Sequence, residues 1–194
     1  RMDDVFVSAA AAQSLGGERP YITPQALPSS MTIPVTWDKV ADGSSNTNLT
    51  VWKIEEALQR MAVNEVDLDR EMTCIAISPR MKQAWLFYAM NSPNDIFAQM
   101  IAEWRMDPSK GIMGCKVIVT NRLVTQAGLV QALVFTKRAF RLPPTNYEIK
   151  IDELPDKRHS LQMAAYARTG CLRRYDELVQ LIWCDPSKAI ADFN

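Results

Sequence analysis

The chain has 194 residues, of which 47% are hydrophobic, so a packed core is expected and wholesale disorder is excluded. Its 22 basic and 22 acidic residues give a formal net charge of +0, which argues against a partner held mainly by bulk charge. No apolar run approaches the roughly 20 residues that cross a bilayer, and no signal peptide is visible, so we expect no membrane partner. The length fits one sizeable domain or two small ones.

The N-terminal part is predicted to be a helix followed by an extended connector. The run DDVFVSAAAAQSL, residues 3–15, has acidic residues in its first turn, where they complement the helix dipole, and Gly16-Gly17 ends it. Residues 18–36 contain four prolines. Prolines at that density exclude helix and central strand, so an extended connector is expected there.

The middle of the chain predicts helices around one short strand. Apolar residues at helical spacing indicate a helix from about Thr50 to Val63, and Met72–Ile77 is a strand. Ser78 is a suitable N-cap, and Pro79 suits the first position of a helix over 79–90.

A further helix is expected from about Pro93 to Trp104, again with a serine, Ser92, before the proline. Its core side is predicted to consist of Ile96, Met100 and Ile101.

The last part of the chain is predicted to be strands. The runs CKVIVTNRL and VQALVFT are strand-like, and NYEIKIDEL alternates strictly between apolar and charged residues, which predicts a half-buried strand. SLQMAAYART returns as its partner and completes a long hairpin, 146–169, with a charged tip, and DELVQLIWC is a final strand. The chain is therefore expected to be mixed α+β.

The corner at Ser78-Pro79 allows two interpretations, a phosphate site or a structural turn. A phosphate cradle needs glycines, so that backbone N–H groups can approach the anion, and none occurs between Ile77 and Leu86. The sequence also contains no GxGxxG, Walker-type or GxSxG motif. A structural corner is the favoured interpretation.

No catalytic, metal or cofactor site is predicted. The one histidine, His159, cannot form a multi-histidine metal site, and its neighbour Ser160 does not make a triad by adjacency. Paired acids such as Glu55-Glu56 point apart and are expected in solvent. The four cysteines lie far apart without a CxxC pair, mostly in apolar surroundings, which fits a reducing compartment; they are Cys74, Cys115, Cys171 and Cys184.

Two segments, 18–36 and 146–169, look as though they need a surface to lie against. A compact body with projecting arms and no chemistry suggests a protein that binds copies of itself. The stretch Arg105–Arg141 has seven basic residues and one acidic residue, Asp107. We interpret these charges as solvated faces of strands and loops, with weak contact to a polyanion as the alternative.

The order of segments resembles the major capsid protein of tailed bacteriophages, the Hong Kong 97-type fold. The likeness is spread over nearly all of residues 3–185. The segments that carry it are DDVFVSAAAAQSLGG, LTVWKIEEALQRMAVNEVDLDREMTCIAISPRMKQAWL, GIMGCKVIVTNRL, VFTKRAFRL and YEIKIDELPDKRHSLQMAAYARTGCLRRYDELVQLIWC.

The resemblance implies a structural, non-enzymatic subunit that assembles into the hexamers and pentamers of an icosahedral shell and encloses viral DNA. It implies an axial domain at 48–140, with peripheral-domain parts at 1–47 and 141–194 that include the long hairpin. The tip of that hairpin would meet its copies near a three-fold position. Its residues are Pro155, Asp156, Lys157, Arg158 and His159.

The resemblance further implies a virion location, assembly in the host cytoplasm, weak contact with packaged DNA, and scaffold, portal or decoration proteins as further partners. Such proteins usually begin with an N-terminal arm, an E-loop and a spine helix; we expect little or none of these before Arg1, with cleavage or a separate chain as the alternatives, and we expect no crosslinking site. The alternatives are an encapsulin-type compartment shell, a small α/β enzyme using the Ser78-Pro79 corner, and a monomeric binding module.

Overall fold

A computed structural model of the chain describes residues 12–13, 25–37, 45–141, 146–154, 160–168, 171–188 and 190. The helices in this part are α1 (Val51–Val63), α2 (Pro79–Asn91) and α3 (Ile96–Met106), with short 3-10 turns at Ser29–Met31 and Lys137–Ala139. The strands are β1 (Ala12–Gln13), β2 (Gln25–Ala26), β3 (Thr32–Ile33), β4 (Thr73–Ile77), β5 (Lys116–Val119), β6 (Thr125–Gln126), β7 (Leu129–Thr136), β8 (Phe140–Arg141), β9 (Asn146–Leu154), β10 (Ser160–Arg168), β11 (Leu172–Arg173) and β12 (Val179–Cys184).

A six-stranded mixed sheet organises the fold, in the order β3-β12-β7-β4-β5, with β6 paired to one end of β7. Strand β7 is antiparallel to both β4 and β12, with Val134 opposite Ile75 and Leu133 opposite Leu181. Strand β5 runs parallel to β4, and β3 runs parallel to β12. All five residues of β4 are buried, as expected for a central strand that is covered on both faces.

Helices α2 and α3 pack around an aromatic cluster centred on Trp85. The Trp85 ring meets Phe97 edge-on at 5.9 Å between centroids and Trp104 at 6.3 Å. The indole N–H of Trp85 donates a 2.9 Å hydrogen bond to the carbonyl oxygen of Leu49, so a fully buried tryptophan keeps its polar atom satisfied. This cluster joins α2 to α3 and to the segment before α1.

Two helix starts agree with the sequence prediction. The side chain of Thr50 accepts a hydrogen bond from the Lys53 N–H at the start of α1. The hydroxyl oxygen of Ser78 accepts one from the Met81 N–H, at 3.2 Å, and Pro79 takes the first position of α2. The corner between β4 and α2 is therefore structural, as favoured from the sequence.

The predicted start of α3 is wrong. Ser92 ends α2 instead, because its N–H donates to the Tyr88 carbonyl, and its own carbonyl accepts from the Asp95 N–H in a turn. The helix therefore begins at Ile96, and Asp95 occupies its N-cap position.

The predicted core side of α3 changes with its start. Ile96 is 75% exposed, Met100 is half-buried, and only Ile101 of the predicted set is buried. The residues that face the core are Phe97, Ala98, Ile101 and Trp104.

The predicted N-terminal helix 3–15 is wrong at Ala12–Gln13, and its other residues lie outside the described part. Ala12–Gln13 pairs antiparallel with Gln25–Ala26, so strand pairing with the connector overrides the helix propensity of alanine. The described part of the connector, 25–36, is mainly extended with one 3-10 turn, and its strand Thr32–Ile33 lies at a sheet edge, as its prolines require.

The long hairpin is present, but the half-burial predicted for its first strand is wrong. Strands β9 and β10 pair over nine residues each without a bulge, from Asn146 opposite Arg168 to Leu154 opposite Ser160. Ile149 and Ile151 are exposed because no described part of the chain covers their face.

The predicted division after residues 47 and 140 cuts through the central sheet. This division places strand β12 in the last unit, yet β12 lies between β3 and β7, and five of its six residues are buried. An apolar strand of this kind needs neighbours on both sides. The sheet thus groups β3 and β12 with the strands of 48–140.

Candidate assembly surfaces

The hairpin presents one apolar face to solvent. Directly paired residues of an antiparallel ribbon point to the same side, and Met163 lies opposite Ile151 while Leu161 lies two residues away on the same strand. Ile149, Ile151, Leu161 and Met163 therefore share one side, and they are 66%, 59%, 75% and 72% exposed. We call these four residues the hairpin apolar face. Contiguous exposed apolar side chains of this kind mark interaction surfaces.

The opposite side of the hairpin is polar. The Lys150 ammonium lies 3.2 Å from a carboxylate oxygen of Glu148. Gln162 and Tyr166 are exposed on the same side. A two-stranded ribbon is marginally stable alone in water. Because only one of its faces is apolar, that face is the one expected to be covered by a partner.

The predicted tip residues, Pro155 to His159, lie outside the described residues, between the ends of β9 and β10. Their role at a three-fold position stays a prediction.

The seven basic residues of 105–141 are all exposed, as predicted for solvated faces. They do not form one patch. Arg122 follows the end of β5, whereas Lys116 lies at its start, level with Phe135, and so at the same end of the sheet as Lys137 and Arg138, which follow the antiparallel strand β7. The Arg138 guanidinium is 2.6 Å from a Glu71 carboxylate oxygen. This division supports only diffuse contact with a polyanion.

An open cleft of about 550 Å³ lies between α2 and the turn that follows β12. We call it the C-terminal cleft. Helix α2 and the turn supply its lining: Arg80, Gln83, Ala84, Phe87, Tyr88, Asn91, Pro186, Ser187, Lys188 and Ile190. The turn is braced, because the Ser187 N–H and hydroxyl both donate to an Asp185 carboxylate oxygen, and these bonds lower the pKa of Asp185.

The link between α1 and β4, residues 64–71, is an acidic loop. Glu65, Asp67 and Asp69 are exposed, and Glu65 has a positive φ of 62°. The Val66 N–H donates to the Met61 carbonyl and the Glu71 N–H donates to the Asp67 carbonyl, so the loop has a defined shape.

The cysteines are not activated nucleophiles. Burial raises the pKa of Cys184 to about 12, and burial together with the nearby Cys74 thiol raises that of Cys115 to about 12. Burial also raises the pKa values of Cys74 and Cys171. A thiol with a raised pKa carries little thiolate at neutral pH.

Neither a candidate metal site nor a candidate membrane span is present within the described ranges. No group of three or more His, Cys, Asp or Glu side chains there could hold a metal ion. Among the described helices, none combines the length and apolarity needed to cross a membrane.

Two buried charges were missed from the sequence. The Lys53 side chain is fully buried in α1, and Arg173 is almost fully buried beside Asp176, with 2.7 Å between the guanidinium and a carboxylate oxygen. For Lys53 a signal existed, because it lies next to Ile54 and one turn before Ala57 on the buried stripe of the helix.

Comparison with known proteins gives structural matches only. No protein-family model matches the chain, and no curated protein matches it. The holo-SrpI encapsulin complex from Synechococcus elongatus PCC 7942 matches with a TM-score of 0.52 at 9% identity, over 87% of this chain and 58% of that chain. The capsid of the cyanophage P-SCSP1u matches with a TM-score of 0.52 at 13% identity, over 93% of this chain and 59% of that chain.

The chain thus spans less than three fifths of the length of either protein. At such low identity the likeness concerns the fold and not the activity. It confirms the mixed α+β fold of the Hong Kong 97 type that the order of segments predicted from the sequence.

Proposed function

We propose that the chain is a structural subunit of an icosahedral phage capsid, which assembles with copies of itself and encloses viral DNA. The observation that carries this proposal is the fold it shares with a cyanophage capsid protein. The hairpin apolar face adds physical support, since four exposed large apolar side chains on one side of a two-stranded ribbon are typical of an interaction surface. In the assembled shell a second copy covers this face.

An encapsulin-type compartment shell is the second candidate, because the encapsulin match has the same TM-score of 0.52. The two functions differ in what the shell contains. A capsid encloses DNA, and a compartment encloses protein cargo. The location differs accordingly, and for the capsid it is the virion, with assembly in the host cytoplasm.

The proposed subunit has two parts. The central sheet with α1, α2 and α3 forms the axial domain, including β3 and β12, which the division at 47 and 140 left outside. The hairpin β9–β10 belongs to the peripheral domain, and its tip, residues 155–159, meets two copies at a three-fold position. Hexamers and pentamers built in this way bind DNA weakly and without sequence preference through scattered exposed basic residues. Scaffold, portal or decoration proteins would be the further partners of a capsid.

We propose no catalytic role. The hydroxyl of Ser78 caps α2, and the raised pKa values of Cys115 and Cys184 keep these thiols protonated at neutral pH. This favours a shell subunit over a small enzyme that uses the strand–helix corner.

Electron microscopy of the purified native protein tests the proposal, and analysis of the enclosed material distinguishes DNA from protein cargo. Ile151→Thr with Met163→Thr should prevent shell formation, because both substitutions remove apolar contacts from the hairpin apolar face. Tyr166→Thr, on the polar side, is the matched control and should assemble. All three side chains are exposed in the lone subunit, so its melting temperature should change little. Only small monodisperse particles from the native protein would overturn the proposal.

A further inference from the structure

Two oppositely charged surfaces lie at opposite ends of the central sheet. Strands β4 and β12 are both antiparallel to β7, so they run in the same direction and end at the same edge. Arg80 follows the end of β4, and Lys188 follows the end of β12. The acidic loop, 64–71, precedes the start of β4 at the other edge. Strand β4, which has five residues, runs from the acidic loop to the end that carries Arg80, so these two surfaces are about 17 Å apart.

The C-terminal cleft is basic, partly apolar and preformed. Its lining contains Arg80, Lys188 and the exposed ring of Phe87 but no Asp or Glu among the described residues, and the Asp185 carboxylate of the same turn is close enough to Lys188 for the two charges to interact. Both walls are anchored to the same dipeptide. The Asn48 amide donates to the Lys188 carbonyl at 2.8 Å, and the Trp85 indole donates to the Leu49 carbonyl. The cleft therefore does not have to form when a partner arrives.

The position of Arg80 is unfavourable for the helix alone. A positive charge in the first turn of a helix is opposed by the helix dipole. Arg80 is exposed and forms no ion pair with any residue in the described part of the chain. The charge of Arg80 therefore does not stabilise α2, but it does make the cleft more positive.

The acidic loop has the complementary character. Glu65 and Asp69 are exposed and make no ion pair with another described residue, while Asp67 is 3.4 Å from the Arg70 guanidinium. Exposed apolar side chains flank the loop, Val63 before it and Met72 after it. Because Glu71 is paired with Arg138, the loop offers the two carboxylates of Glu65 and Asp69 together with apolar contacts, and the cleft offers two cations together with an aromatic ring.

We propose that the acidic loop of one copy docks in the C-terminal cleft of a second copy, head to tail. This rests on the proposed function and names the surfaces that join neighbouring subunits. Because the two surfaces are different and lie at opposite ends of the sheet, each subunit can use one with each neighbour. Contacts of this heterologous kind close into rings when the rotation between copies allows it. A nucleic acid would match the cations of the cleft but not the apolar flanks of the loop.

Charge reversal with a swap tests the proposal. Arg80→Glu with Lys188→Glu, and separately Glu65→Lys with Asp69→Lys, should each weaken self-association of the full chain by roughly tenfold or more, measured by sedimentation velocity and electron microscopy. The chain with all four substitutions should regain association, because both surfaces are reversed together. Arg105→Glu, an exposed reversal outside both surfaces, is the control and should associate normally.

The outcomes separate this proposal from the proposed function. If the native chain forms shells and either double variant forms them equally well, the docking proposal is overturned and the shell function stands. The same conclusion follows if the variant with all four substitutions folds but does not regain self-association. If the native chain does not associate at all, both are overturned. Loss of oligonucleotide binding with unchanged assembly in the Arg80→Glu, Lys188→Glu variant would assign the cleft to nucleic acid and overturn docking. Arg80→Glu places an acid where the dipole of α2 favours it, but Lys188→Glu places one beside Asp185. The melting temperature of this variant is therefore measured as well, and a value near that of the native chain excludes misfolding as the cause of lost association.

Discussion

The ammonium of Lys53 lies 2.9 Å from the carbonyl oxygen of Trp183, although 130 residues separate them in the chain. The same ammonium donates to the carbonyl oxygens of Val35, at 3.0 Å, and Thr47, at 3.1 Å. One fully buried lysine in α1 therefore ties together the proline-rich connector, the polar segment before the helix and the terminal strand β12.

Lys53→Met should destabilise the subunit by about 3 kcal/mol, because three buried carbonyls lose their donor while the chain keeps a side chain of similar length. Urea unfolding followed by circular dichroism measures this change. Gln59→Met provides the comparison within the same helix, since Gln59 is exposed, and this substitution should change the stability little. A loss below 1 kcal/mol for Lys53→Met would contradict the structural role of the ammonium.

The Ser78→Ala substitution should lower the free energy of unfolding by about 1 kcal/mol, because the Met81 N–H loses its acceptor at the start of α2. Ser45→Ala, at an exposed serine outside any helix, is the control and should be neutral. The same variants test the phosphate interpretation of this corner. We expect no saturable binding of ATP or NAD by the native chain, and binding that disappears in Ser78→Ala would overturn the structural interpretation.

The sequence predicted correctly those helix starts and strands that depend on residues close together in the chain. The Ser78-Pro79 pair fixed a helix start because a cap and a proline act on the adjacent turn, and the alternation of β9 gave its strand and its two faces. The start of α3 could not be obtained in this way. A second serine–proline pair occurs there, but the Ser92 carbonyl accepts a hydrogen bond from the Asp95 N–H in a turn, so the helix begins only at Ile96.

The sequence alone did not predict which distant strands pair or which strand faces are buried. Nothing local places β12 between β3 and β7, or Ala12–Gln13 in a strand, because those pairings depend on residues far along the chain. Burial of the hairpin was overestimated for the same reason. An apolar stripe such as Ile149 and Ile151 indicates that this face of the strand packs against something. It does not indicate whether the packing partner is another part of the same chain or a second molecule. The acidic loop and the C-terminal cleft likewise became visible as a pair only when strand directions were known.

The Cys184 thiol should make the fold sensitive to alkaline pH. Burial raises its pKa from the ordinary 9.0 to about 12, so its contribution to stability is fully present below pH 9 and is lost as the pH rises towards 12. For one proton the loss is at most about 1.4 kcal/mol for each pH unit. Urea unfolding at pH 7, 9 and 10.5 should show a shallower decline for Cys184→Ala than for the native chain. Cys171→Ala, at a half-buried thiol, should keep most of the decline, and parallel curves for the native chain and Cys184→Ala would contradict this prediction.

The hairpin tip is expected to act in assembly and not in folding. The tip connects two strands of nine paired residues each, and Asp156, Lys157 and Arg158 offer both signs of charge within three residues. Around a three-fold axis each tip would meet two copies, so acids and bases could pair in a ring. Exposed pairs contribute only about 0.2–1 kcal/mol each, yet that small contribution is repeated at every three-fold position of a shell.

Reversing Lys157 and Arg158 together to Glu should therefore leave the melting temperature of the subunit nearly unchanged while blocking or misdirecting shell formation, as seen by calorimetry and electron microscopy. Normal shells from the double variant would remove the tip from the interface, and a collapsed melting temperature would show that the tip serves the fold of the subunit itself.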